Sequence, residues 1–143
     1  MLYLDTSFLV PYFVSEDSSE RVEKFLRGAK DELAVSAWTA TEFVSALGLK
    51  VRTKQLEKPA ASAALAAFRE VGEAHFNVLA VTLADFRAAS VYLQEWDLGL
   101  RAGDALHLAI AKSNGIKKLL TLDEKMLKAA KALRIPVSMG IRV

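Results

Sequence analysis

Apolar residues fall along this chain in short unbroken clusters that alternate with longer stretches of helical spacing. Leu2, Tyr3 and Leu4 open a strand over residues 1–5, and Phe8, Leu9 and Val10 resume in a short helix over 7–13 that Thr6 or Ser7 starts. Ser18 or Ser19 caps a helix that runs to Gly28, a good stop residue. The cluster Leu33-Ala34-Val35-Ser36 predicts a strand, and residues 39–53 a helix with Phe43, Leu47 and Val51 on one stripe. Pro59 sits in the first turn of an alanine-rich helix reaching Ala74. Residues 76–81 follow as a strand. Thr82 with Asp85 then resembles a capping box that enters a helix to Trp96. After a loop over 98–101, residues 103–114 form a helix closed by Gly115. The spacing predicts a strand over 118–121, a helix over 124–133 and a last short strand over 136–138.

Strands that alternate with helices in this way pair in parallel and need helices to cover both faces. The expectation is an α/β fold, a central parallel sheet flanked by helices on both faces, in one domain over residues 1–143. No internal repeat, low-complexity segment or linker interrupts it.

Composition narrows the class. Hydrophobic residues make up 52% of the chain and charged residues 25%, the balance of an ordinary globular protein with a sizeable core. No apolar run is long enough to cross a bilayer. The first strand begins at Met1, which predicts no signal peptide ahead of it, and a cytoplasmic home is expected. With no cysteine, thiolate nucleophiles, disulfides and cysteine zinc sites are excluded. The net charge of +2 is uneven: residues 1–104 hold 15 acidic and 11 basic residues, residues 105–143 hold 2 and 8. A lysine-rich surface of this kind attracts phosphate backbones or simply solvates a helix face.

Candidate chemistry lies in the carboxylates. In an open parallel sheet, ligands bind beyond the carboxyl ends of the strands. Asp5 ends the first strand, and Asp123 follows the strand over 118–121. Asp104 opens the helix before that strand, and Glu42 lies one turn inside the helix that follows Ser36. Each has a plainer role, since aspartates cap helices and glutamates solvate them. Asp104, however, sits in RAGDALHLAIA, a nearly apolar helix, and Asp5 is flanked by buried runs. Four carboxylates at one rim repel one another unless a cation neutralises them. Oxygen donors of this kind suit Mg²⁺ or Mn²⁺, and such an ion activates water and stabilises charge on a phosphate.

LDTSFLV, TATEF, RAGDALHLA and TLDEKM, in that order, resemble the PIN-domain ribonucleases, and among them the VapC-type toxins of bacterial and archaeal toxin–antitoxin pairs. The likeness runs from Met1 to about Val137. It implies a Mg²⁺- or Mn²⁺-dependent endoribonuclease in which Asp5, Glu42, Asp104 and Asp123 are the catalytic and metal-binding acids, with Asp123 preferred over its neighbour Glu124. It also implies a hydroxyl near the first aspartate, for which Ser7 is preferred over Thr6, and Arg101 is placed to meet a substrate phosphate or an antitoxin carboxylate. The implied partners are RNA, a small antitoxin and a second copy in a homodimer, with no membrane. The helix over 60–74, Tyr12, Phe13 and Trp38 are candidate contact residues, or ordinary core.

His107 stands one helical turn after Asp104 and has no second histidine to complete a zinc pattern, so it is expected to pack against the core. His75 reads as a helix-end or surface residue. A phosphatase that forms an aspartyl phosphate needs a second aspartate where Ser7 stands, and no phosphate-cradling glycine loop is present. The remaining alternative is a catalytically inactive module of the same fold that binds RNA or a protein.

Overall fold

The computed structural model describes residues 1–141, and of Glu73 only the backbone; Arg142 and Val143 of the expected domain lie outside the described residues. Five strands form one sheet, β1 (Leu2–Leu4), β2 (Leu33–Ser36), β3 (Phe76–Leu79), β4 (Lys118–Leu120) and β5 (Val137–Ser138), in the order β3-β2-β1-β4-β5. Every pairing is parallel. Around it run α1 (Thr6–Phe13), α2 (Ser19–Gly28), α3 (Ala37–Arg52), α4 (Lys58–His75), α5 (Leu83–Leu93), α6 (Ala102–Ser113) and α7 (Glu124–Ala132). The expected α/β fold is the observed one.

The sheet separates two apolar layers, as alternation along a strand requires. On one face Leu2 and Leu4 meet Phe8, Val22, Phe43 and Phe68 from α1 to α4. Phe13, Phe43 and Phe68 pack ring to ring there, with centroids 4.7 to 5.7 Å apart, and so tie three helices together. On the other face Tyr3 and Leu119 meet Leu108, Ile110 and Met126 from α6 and α7. Full burial of a side chain of this size stabilises the fold by about 1.5–3 kcal/mol.

Several boundaries differ from the sequence reading, each for a local reason. α1 is started by Asp5, whose Oδ1 accepts the Phe8 amide at 3.0 Å, not by Thr6 or Ser7. α3 begins two residues earlier than expected because Ser36 and Thr39 form a capping box there. Thr82 and Asp85 form the expected box, yet α5 stops at Leu93, and Trp96–Leu98 is a separate 3-10 turn that closes on Gly99 at φ 63°. β3 ends at Leu79, short of Val81. Tyr12, Phe13 and Trp38 are half-buried. Among the described residues no helix is long and apolar enough to cross a membrane.

From β1 the sheet grows through β2 to β3 on one side, and then β4 is laid on the other side of β1. The strand order therefore reverses between β1 and β4, where a parallel sheet opens a crevice at its carboxyl rim. Asp5 follows β1 and Asp123 follows β4.

Candidate functional site

Asp5 is 3% exposed. Its Oδ1 accepts Ser7 Oγ at 2.8 Å as well as the Phe8 amide, and its Oδ2 accepts Thr121 Oγ1 at 2.6 Å. Burial pushes its carboxyl up, against the pull of the nearby His107 and these three hydrogen bonds. Thr121 also accepts the Asp123 amide at 3.0 Å, so one hydroxyl joins the ends of β1 and β4 across the crevice. Asp123 caps α7 through Oδ1, which accepts the Lys125 and Met126 amides at 2.8 and 3.2 Å. Its Oδ2 lies 3.8 Å from Arg101, whereas the neighbouring Glu124 is exposed.

α6 precedes β4 and runs against it, which brings the N-terminus of α6 to the same rim. Asp104 sits in its first turn, but among the described residues its carboxylate caps nothing and meets only Arg101 Nε, at 3.5 Å. Burial, then the like charges of Asp123 and Glu42, hold the Asp104 carboxyl above its ordinary range, although Arg101 and His107 pull the other way. Arg101 is the cation between Asp104 and Asp123, and its side chain is 79% exposed.

Glu42, on the second turn of α3, is held differently. Its Oε1 accepts Thr6 Oγ1 at 2.7 Å and is also hydrogen-bonded to His107 Nε2. Burial works against the Glu42 carboxylate, but His107, Thr6 and Arg101 outweigh it and keep its carboxyl below its ordinary range. Its Oε2 lies over Gly103, where an added Cβ would stand 2.8 Å away. A side chain at position 103 would have to displace the carboxylate, so glycine there leaves Glu42 Oε2 room to stand where it does.

The four carboxylates, expected at one rim, stand around the ends of β1 and β4 and the starts of α3, α6 and α7. The PIN domain family model matches residues 2–132. This chain belongs to the PIN domain family. Several solved structures share its fold. VapC20 of Mycobacterium tuberculosis, a sarcin–ricin loop cleaving toxin, matches with 21% identity and a TM-score of 0.73, over 90% of this chain and 95% of that one. FitAcB from Neisseria gonorrhoeae matches with 19% identity and a TM-score of 0.72, over 96% of each chain. VapBC2 from Rickettsia felis, bound to a promoter DNA fragment, matches with 17% identity and a TM-score of 0.65, over 96% of this chain and 98% of that one. At these identities the likeness is one of fold. No curated protein matches by sequence.

For a PIN domain, the donors suit a hard divalent cation: all four are carboxylates, and Glu42 Oε2 and the Asp104 carboxylate take no hydrogen bond among the described residues. As they stand, no group of three His, Asp or Glu among the described residues is close enough to hold one ion. Arg101 occupies the space between Asp104 and Asp123 instead. Ser7 donates to Asp5 and accepts the Leu122 amide at 2.9 Å, so it braces the first acid. Thr6, the less favoured hydroxyl, reaches Glu42. Thr121, Gly103 and the polar contacts of His107 join the site with no motif to mark them; only the histidine inside LHLAIA signals its part, because a buried imidazole needs partners.

Proposed function

We propose that this PIN domain is a metal-dependent endoribonuclease acting as the toxin of a toxin–antitoxin pair, with residues 1–143 as one nuclease domain. The observation that supports it most is Asp104, a half-buried carboxylate with a raised pKa that performs no capping and faces two other acids across the switch point of the sheet. Asp5, Glu42, Asp104 and Asp123 would hold Mg²⁺ or Mn²⁺. Bound there, such an ion supplies Lewis acidity that activates water and offsets charge on the scissile phosphate.

The chain's own residues do the rest. Thr121 and Ser7 fix both oxygens of Asp5, and Thr6 fixes Glu42. Arg101, paired with acids at 3.5 and 3.8 Å only, swings from Asp104 and Asp123 to the substrate phosphate, which its guanidinium grips as a fork. Cleavage in line leaves a 5′-phosphate and a 3′-hydroxyl. The cleft beside the site, lined by Thr6, Ser7, Val10, Ala46 and Leu49, suits an antitoxin segment, and the exposed Leu83 and Phe86 of α5 suit the second copy of a homodimer. The protein acts in the cytoplasm, where its RNA is.

The Arg101 pairs supply the salt contacts that an inactive RNA- or protein-binding module would keep in place of a metal, and one experiment separates the two readings. Labelled total RNA is incubated with the purified chain and Mn²⁺ or Mg²⁺, with and without EDTA, beside Asp5→Asn. Discrete fragments that disappear with EDTA and with the variant are expected. A folded, antitoxin-free chain that neither cleaves RNA nor binds Mn²⁺ in a calorimeter would establish the inactive module.

A further inference from the structure

His107 is 1% exposed, and both its ring nitrogens are engaged by side chains. Nδ1 is 2.7 Å from the Tyr3 hydroxyl, and Nε2 is hydrogen-bonded to Glu42 Oε1. A carboxylate oxygen only accepts, so the proton of that second bond rides on Nε2. With the ring neutral, Nδ1 then accepts from the Tyr3 hydroxyl. The Tyr3 oxygen is itself pinned, 2.8 Å from Ser36 Oγ and 3.3 Å from Thr39 Oγ1. Ser36 and Thr39 form the capping box of α3, the helix that carries Glu42. The chain of contacts thus runs from β1 and the start of α3, through α6, and back to α3 one turn further on.

The arrangement fits neither simple account of a buried histidine. It is not a metal ligand, because neither nitrogen is left to bind one. Core packing alone does not explain why its partner is a half-buried acid of the site. Thr6 Oγ1 donates to the same oxygen, at 2.7 Å, so Oε1 has two donors while Oε2 has none among the described residues and lies over Gly103.

We propose that His107, oriented by Tyr3, is a positioning residue that clamps Oε1 of Glu42 and commits Oε2 to the cation, making Glu42 a one-oxygen ligand. This rests on the nuclease reading for the presence of a cation. Outer partners of this type typically change metal affinity by 10- to 100-fold when removed.

The full chain is titrated with Mn²⁺ by calorimetry, and RNA cleavage is followed in parallel, for the wild type, His107→Leu, His107→Gln and Tyr3→Phe. His107→Leu, which removes the donor, is expected to weaken Mn²⁺ binding about 10- to 100-fold. His107→Gln places an amide N–H where Nε2 stood and is expected to recover most of that loss, which a purely structural role would not produce. Tyr3→Phe keeps the ring in the core, frees the imidazole to turn, and is expected to weaken Mn²⁺ in the same direction by a smaller factor. Folded His107→Leu that binds Mn²⁺ as the wild type does would overturn the proposal, as would a glutamine variant no better than leucine. If His107→Leu does not fold, unchanged Mn²⁺ affinity in Tyr3→Phe overturns it. A wild type that binds no Mn²⁺ brings down the nuclease reading itself, whereas a binding wild type with unaffected variants removes only the positioning role.

Discussion

Gly103 sets two effects against each other within one residue. Alanine in the first turn of a helix is better than glycine by up to about 1 kcal/mol. Its Cβ, however, would stand 2.8 Å from Glu42 Oε2 and 3.2 Å from Trp38 Cζ2. The carboxylate is the end of a long side chain and can yield, so stability should change little. Its oxygen cannot stay in place, and misplacement by about 1 Å costs on the order of 10²-fold in rate. Gly103→Ala is therefore expected to melt within about 3 °C of the wild type while losing most of its RNA cleavage. Equal loss of both would place the role of Gly103 in folding. Asp5→Asn should behave in a related way. The amide relieves a buried charge but weakens the bond from Thr121, so stability stays within about 1 kcal/mol and activity is lost.

Between elements, Asp85 joins α5 to α6. It closes the capping box with Thr82 at 2.8 and 2.9 Å, and its Oδ1 accepts Ser113 Oγ at 2.6 Å. Burial opposes its charge, but Ser113 and Thr82 outweigh this and hold its carboxyl below the ordinary value of 3.8. In acid the unfolded chain therefore binds this proton first. The stability that Asp85 adds is whole above pH 3.8 and is lost as pH falls through its lower folded value. Asp85→Asn should cost about 1–2 kcal/mol at pH 7 in urea unfolding. The gap from the wild type should narrow below pH 3.8. A gap that is constant with pH would mean that the amide side chain, not the charge, is at fault. Asp5 and Asp104 carry the opposite sign: their folded values are raised, so the folded chain protonates first and their destabilisation eases as pH falls.

Across the whole molecule, charge is sorted by the direction of the strands. The four acids of the site occupy the carboxyl rim, while Lys118 begins β4 and Lys117 precedes it, so both lie at the opposite rim, Lys117 paired with Asp31 at 2.8 Å. Lys112 in the last turn of α6 and Lys131 in the last turn of α7 point to that far end too. The basic C-terminal third is thus not one surface beside the site; Lys125 and Lys128, exposed on the early turns of α7, are the part of it near Asp123. Repulsion at the acidic rim is shared by elements from both sides of the sheet, so relieving it should stabilise the entire fold. Mn²⁺ at about 100 times its dissociation constant should add about 2.7 kcal/mol. That corresponds to a rise on the order of 8 °C in melting temperature, reversed by EDTA. An unchanged melting temperature at that concentration would show that the folded state does not bind the ion.

The sequence determined the alternation of elements, the parallel sheet and the four acids, because strand clusters, capping residues and helical stripes are local patterns written within a few residues of one another. It also placed each acid at the rim, since a carboxylate just after a strand or at a helix start has its direction set by that strand. The tertiary structure decided the partners. Thr6 and not Ser7 meets Glu42, and Asp5 and not a hydroxyl caps α1. His107 in α6, Tyr3 in β1 and the Ser36–Thr39 cap come together only when the sheet is assembled. Those contacts join residues up to 104 positions apart, and hydrophobic spacing says which face is buried but not which buried polar group another one meets.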